Sequence, residues 1–191
     1  MTATVPHHMK PFLLRLPLIA VLALTAACSP KFDWREIRSD NAAYIIAMPA
    51  KPAVFTRPID LNGIATAMTM TATEVDGITF AIGSAELPEA TQAQTSLVAM
   101  KTAMVNNIRG TVRHEKTATM PQSQNAGTGM LAYTEILASG AADAATNGQP
   151  RVLFARFFAK DRHVYQLVVT GREDAVQRDA VDTYFSSFRF N

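Results

Sequence analysis

The sequence holds a single cysteine, a single tryptophan and only 18% charged residues in 191 positions. With one cysteine, Cys28, no internal disulfide is available, so the fold must be held by burial alone. It also lacks the recurring catalytic patterns: no cysteine pair, His-Glu-x-x-His, phosphate-binding Walker loop, Gly-x-Ser-x-Gly elbow or dinucleotide glycine pattern occurs. The main apolar run, residues 16–24 (LPLIAVLAL), is too short to cross about 30 Å of hydrocarbon comfortably as a helix. What is present is ordinary for a packed protein. A 48% hydrophobic fraction excludes disorder as the main state, and the length predicts one core.

Residues 10–27 (KPFLLRLPLIAVLALTAA) place Lys10 and Arg15 before the apolar run and small residues after it, the pattern of a secretory signal. Met9 opens a complete signal by itself, so translation from Met9 is an expectation of this reading. The end of the segment, Leu24-Thr25-Ala26-Ala27-Cys28-Ser29, resembles the lipobox of bacterial lipoproteins, with Thr25 standing where leucine is commonest. The resemblance implies cleavage before Cys28, a diacylglyceryl thioether on its sulfur and acylation of the new amine. At about 0.8 kcal/mol per buried methylene, one chain anchors marginally and two or more anchor stably. Residues 1–27 are then a signal peptide, and the membrane is reached through lipidated Cys28. By the sorting preference of that class, Ser29 points to the periplasmic face of the outer membrane rather than to the inner membrane. Removing residues 1–27 discards two cations and no acids, which leaves sixteen of each. A nucleic-acid partner thereby loses its electrostatic motive.

Residues 28–42 are short, charged and without sustained period, and read as a tether. Trp34 is its exception, expected on the domain edge or at the membrane interface. The domain proper is read over residues 43–191. A strand is predicted at residues 43–48 (AYIIAM), stopped by Pro49 and Pro52, and followed by a loop. Alternating threonines over residues 64–75, then Asp76-Gly77, then residues 78–84 (ITFAIGS) predict a hairpin. Leu97, Met100, Lys101, Met104, Val105 and Ile108 at helical spacing predict a helix over residues 91–108, capped by Thr91 with Gln94 and closed by Gly110. Further strands are expected at residues 111–117, 130–138 and 151–160, the last apolar on both faces apart from Arg156 and therefore central. Asp161-Arg162 turns it into a strand over residues 163–170. A final helix is expected after a Thr170–Glu173 cap, with Val176, Ala180, Val181, Tyr184, Phe185 and Phe188 as one stripe.

Strands, helix, strands, helix with hairpins between neighbours argue an α+β antiparallel sheet with two amphipathic helices packed on it. That order, with the Phe-rich end Ser186-Ser187-Phe188-Arg189-Phe190, resembles the PsbP-like and DcrB-like α/β sandwiches. The resemblance implies a small exported lipoprotein, some relatives of which assist membrane-complex assembly.

Candidate chemistry is sparse. Beyond the signal the histidines are His114 and His163, and without a third nearby ligand no metal site is expected. His163 reads as a solvated strand end and His114 as part of a mixed-charge surface run. Glu173-Asp174 suits a helix N-terminus, and Asp179 and Asp182 face away from the apolar stripe. Arg156 must reach water at a rim or a partner carboxylate. The polar stretches 118–129 and 139–150 read as surface loops leaving opposite ends of one strand, about 27–30 Å apart, so they do not build one site. The leading expectation is a non-enzymatic binding or assembly module with an envelope protein partner and no cofactor. Its alternatives are a carrier of a small apolar ligand lined by Met100 and Met104, and a hydrolase built on His163 or His114.

Overall fold

The computed structural model describes residues 1–2, 31–122, 129–141 and 148–191. Cys28, the signal segment and the middles of both predicted loops lie outside the described residues. The chain divides into Met1–Lys31 and Phe32–Asn191, and every strand and helix among the described residues belongs to the second unit.

The fold is α+β and mostly antiparallel sheet. Among the described residues ten strands run in chain order: β1 (Arg35–Ser39), β2 (Tyr44–Met48), β3 (Ala53–Asp60), β4 (Ala65–Val75), β5 (Ile78–Glu86), β6 (Gly110–Pro121), β7 (Met130–Gly140), β8 (Arg151–Lys160), β9 (His163–Arg172) and β10 (Arg189–Phe190). The helices are α1 (Ala93–Asn107) and α2 (Arg178–Ser187). Seven strands form one sheet in the order β3-β4-β5-β9-β8-β7-β6, and three form a smaller one, β1-β2-β10.

Period-two alternation on β8 divides its side chains between two cores. Val152, Phe154 and Phe158 join one cluster; Leu153, Ala155 and Phe157 join the other. The first core is aromatic and lies under the small sheet and α2, whose Val181, Tyr184 and Phe185 enter it. The second is built of Met68, Met70, Met100, Phe157 and small residues, and α1 covers it. The central position expected for β8 follows from both faces being covered.

Local chemistry explains the turns. Asp76 (φ 51°) and Gly77 (φ 75°) join β4 to β5 with Val75 opposite Ile78, the left-handed pair that a two-residue hairpin needs. Asn62 (φ 60°) and Gly63 (φ 86°) do the same between β3 and β4, where the Leu61 N–H donates to the Ile64 carbonyl at 3.0 Å.

Several expectations are corrected. The tether read over residues 28–42 is structured from Phe32 onward. There, β1 pairs with β2 from Arg35–Met48 to Ser39–Tyr44, while Phe32 and Trp34 pack edge-on against Phe80 at 6.0 and 6.1 Å. The loop expected after Pro52 holds β3, a strand whose side chains are mostly exposed and which is held by its ladder to β4. The α1 entrance is framed two residues early: a 3-10 turn spans Ala90–Gln92, and the Glu89 N–H donates to Gln92 Oε1 at 3.3 Å instead of a Thr91–Gln94 box. Its exit uses Arg109 (φ 47°) rather than Gly110, which already belongs to β6. Residues 118–121 extend β6 and 139–140 extend β7, so both predicted loops are shorter than expected. Thr170 stays in β9 and donates its hydroxyl to the Val152 carbonyl at 2.9 Å. It therefore caps nothing; α2 starts at Arg178, ends at Ser187, and the chain returns as β10 beside β2.

Candidate groove between the two sheets

The smaller sheet does not reach across the whole aromatic face. Alternation on β4 sends Met68, Met70 and Ala72 toward α1, and Thr69, Thr71 and Thr73 toward the other face. Where β1 and the β1–β2 turn stop short, the hydroxyls of Thr69 and Thr71 help floor an open groove of about 490 Å³. Its floor is Val54, Ala67, Thr69, Thr71 and Ser84, and its wall is Ile37, Arg38, Ser39, Asn41, Tyr44 and Pro52. Glu86 and His163, opposite each other across β5 and β9, close one end.

Two phenols hold the wall in place. Tyr165 donates to the Ala42 carbonyl at 2.8 Å, and the Tyr44 hydroxyl lies 3.4 Å from Thr71 Oγ1. Burial raises the pKa of Tyr44 above the usual tyrosine value, with the Thr71 and Ser39 hydroxyls only partly opposing it. Burial likewise raises that of Tyr165, helped by Asp161 and Tyr44. Both stay protonated at physiological pH. The groove thus offers hydroxyl groups that both donate and accept, beside apolar contacts from Ile37, Pro52 and Val54.

Of the candidates from the sequence, His163 alone lines this groove. Its ring stacks on Tyr165 with centroids 6.2 Å apart. Ser84, Glu86 and His163 share one face, yet no side-chain hydrogen bond joins them, and Glu86 pairs with Arg162. His114 sits exposed on β6, at the far edge of the sheet, beside a bulge between Val112 and His114. Glu173 pairs with Arg113 at 2.8 Å and Asp174 with Arg172 at 3.1 Å, whereas Asp179 occupies the first turn of α2 and Asp182 is exposed. These acids are not brought together as a pair for proton transfer. Met100 is buried against the α1 side and Met104 packs beside it. Among the described residues, no group of three or more His, Cys, Asp or Glu side chains is placed to hold a metal ion.

Arg156 finds the carboxylate. Its Nε donates to Glu135 Oε2 at 2.7 Å, and its Nη1 donates to the Phe185 carbonyl at 3.3 Å, near the end of α2. The guanidinium lies over the rings of Tyr133 and Phe185 at 4.8 and 4.5 Å. Lys116 meets the other oxygen of Glu135 at 2.9 Å, so Lys116, Glu135 and Arg156 form a row across β6, β7 and β8. Burial alone would raise the Glu135 pKa; the hydrogen bonds and charges of Lys116 and Arg156 outweigh it and hold the carboxyl below the usual range. The row is a structural tie between β-sheet and α2.

The groove residues Thr69, Thr71 and Ser84 are absent from the sequence candidates. The signal for the two threonines is the threonine alternation on β4, which identifies a strand but not the groove above it, and Ser84 on β5 carries no comparable signal.

No protein-family model matches this chain, and no curated protein matches it. Among solved structures, that of PA94, a protein of unknown function from Pseudomonas aeruginosa, is similar at a TM-score of 0.33 and 10% identity, covering 74% of this chain and 84% of that one. A likeness at that score supports no functional argument.

Proposed function

We propose that this chain is an exported lipoprotein whose domain binds an extended segment of another envelope protein in the groove between its two sheets. The groove carries the proposal: it is open, and it sets hydroxyls able to pair with peptide groups beside apolar surface suited to alternate side chains. Lipidation of Cys28 would tether that groove near the membrane, with the periplasmic face of the outer membrane as the location. Kinship with the PsbP-like and DcrB-like sandwiches belongs to the same proposal, supported by a large antiparallel sheet with α1 on one face and α2 with the small sheet on the other.

A photoreactive amino acid placed at Thr69 in the full chain, in intact cells, tests the groove. Protein adducts are expected from position 69 and not from His114 on the opposite edge. Adducts of equal yield from both positions, or none from position 69, would refute it. The anchor has its own test. Cys28→Ser is expected to release the chain into the soluble periplasm or leave an uncleaved precursor, and unchanged processing with unchanged membrane partitioning would contradict lipidation.

A further inference from the structure

The two edges of the seven-stranded sheet differ in how they meet solvent. The β6 edge is broken by its bulge, and Arg113, Glu115 and Lys116 each hold an ion-pair partner there. Such bulges and charges are what keep a strand edge from recruiting another strand. Residues 53–56 of β3, at the other edge, carry no bulge and no charge, and Arg57 and Pro58 limit the free stretch: the strand pairs with β4 in unbroken register, and Val54 and Phe55 are 66% and 48% exposed.

The direction of its free backbone groups follows from the hairpin. Leu61 and Ile64 close the turn as a hydrogen-bonded pair, so the odd-numbered residues of β3 bond to β4 and the even-numbered ones point outward. Pro58 agrees, because its missing N–H falls on the outward side, where the ladder does not need it. The outward groups of Val54 and Thr56 are then available between two prolines, Pro52 and Pro58, placed symmetrically about Phe55.

We infer that β3 pairs antiparallel with β3 of a second copy of this chain, about a two-fold axis through Phe55. In that register Val54 of one copy faces Thr56 of the other and exchanges two hydrogen bonds with it, twice over. Phe55 meets Phe55 in the closer, non-hydrogen-bonded kind of pair, and the two prolines fall opposite each other, so no donor is stranded. Arg57 faces Ala53, which keeps like charges apart. Shifting the axis to Arg57 would set two guanidiniums against each other. The interface is isologous and closes at two copies. It does not rest on what the groove binds, since it uses the outward backbone groups of Val54 and Thr56, although Pro52 and Val54 also line the groove.

Disulfide trapping in the full chain tests the register. Opposed residues of a non-hydrogen-bonded pair lie about 4.5 Å apart at Cα, within reach of a disulfide. The two copies of Val54 would lie beyond the roughly 7 Å that a disulfide tolerates. With copper phenanthroline on membranes of expressing cells, Phe55→Cys is expected to give a covalent dimer, at least tenfold above the unmodified chain. Val54→Cys is expected to stay at background. Adding Thr56→Pro, which removes an outward donor and the Thr56–Thr69 hydroxyl bond but no backbone bond to β4, should abolish the Phe55→Cys dimer. Light scattering of the detergent-solubilised chain should report two copies, and one for Thr56→Pro alone. A monomeric Phe55→Cys chain, equal trapping at positions 54 and 55, or a crosslink from position 55 to a different protein would each overturn the inference.

Discussion

The two faces of the large sheet solve the same burial problem with different residues. On the face under α2 and the small sheet, Phe158 stacks on Tyr165 at 5.1 Å and meets Phe188 and Phe190 at 5.0 and 6.0 Å, so rings contact rings through several layers. On the face under α1, one aromatic side chain, Phe157, lies among leucines, isoleucines, valines and alanines, with Met68, Met70 and Met100 between them. Rings have fixed shapes and preferred mutual angles, so the aromatic face fixes where β1, β2, β10 and α2 sit. Methionine is unbranched and adaptable, so where Met68, Met70 and Met100 lie the α1 face is filled without demanding one arrangement. The groove and its wall depend on the aromatic face, so the proposed binding site is built over the core with more ring contacts.

The largest effect is expected where the ring network is thickest. Phe158→Ala should destabilise the domain by about 3–5 kcal/mol, the range for removing a buried aromatic side chain. Its neighbours Tyr165, Phe188 and Phe190 would lose a common partner, loosening β10 against β2 and the wall of the groove with it. Urea unfolding measures the loss, and a change under about 1 kcal/mol would show that the aromatic face is no more rigid than the other.

Much of this contrast is legible in the residues alone. The double-sided apolar character of residues 151–160 reveals a central strand, and Asp76-Gly77 reveals the β4–β5 hairpin, because both signals are local. What stays hidden has non-local causes. β3 shows no buried period because its side chains are mostly exposed, and only its pairing with β4 makes it a strand. β1, with the sequence REIRS, carries Ile37 as its only large apolar residue, and it is held by β2 and by ring packing at Phe32 and Trp34. The groove exists because β1 and β2 pair with each other and with β10 from the far end of the chain, rather than with β3 that follows them, and so form a separate sheet. Thr170 and Glu173 match a helix cap in spacing, but the ladder of β9 to β8 claims Thr170 first. The lipid signal, conversely, is read from residues 24–29 alone and lies outside the described residues.

A second, smaller effect probes how closely α1 leads into the sheet. Gly140 on β7 lies against the end of that helix, where an added Cβ would stand 2.1 Å from the Ile108 carbonyl oxygen. That neighbour is backbone and cannot swing aside. Gly140→Ala should therefore cost about 1–3 kcal/mol, as overpacking of a tight contact does. Thermal unfolding would report it as a lowered midpoint. A neutral result would show that the α1 face yields even in its backbone, extending the contrast with the aromatic side beyond its side chains.

The smallest effect sharpens the comparison most directly. Met100 is 2% exposed and packs within the α1 core, so Met100→Leu changes shape at nearly constant volume in fully buried surroundings. Because the neighbouring Met68, Met70 and Met104 can each change rotamer to follow it, the expected cost is under about 1.5 kcal/mol. Across the sheet the matched pair is Phe158→Leu and Phe157→Leu, which remove the same volume from the aromatic and the α1 core. With rigid rings around it, Phe158→Leu should cost more in the same urea series. Equal costs would mean that ring geometry adds nothing to burial here, and the groove wall would then owe its position to the backbone pairing of β1, β2 and β10 alone.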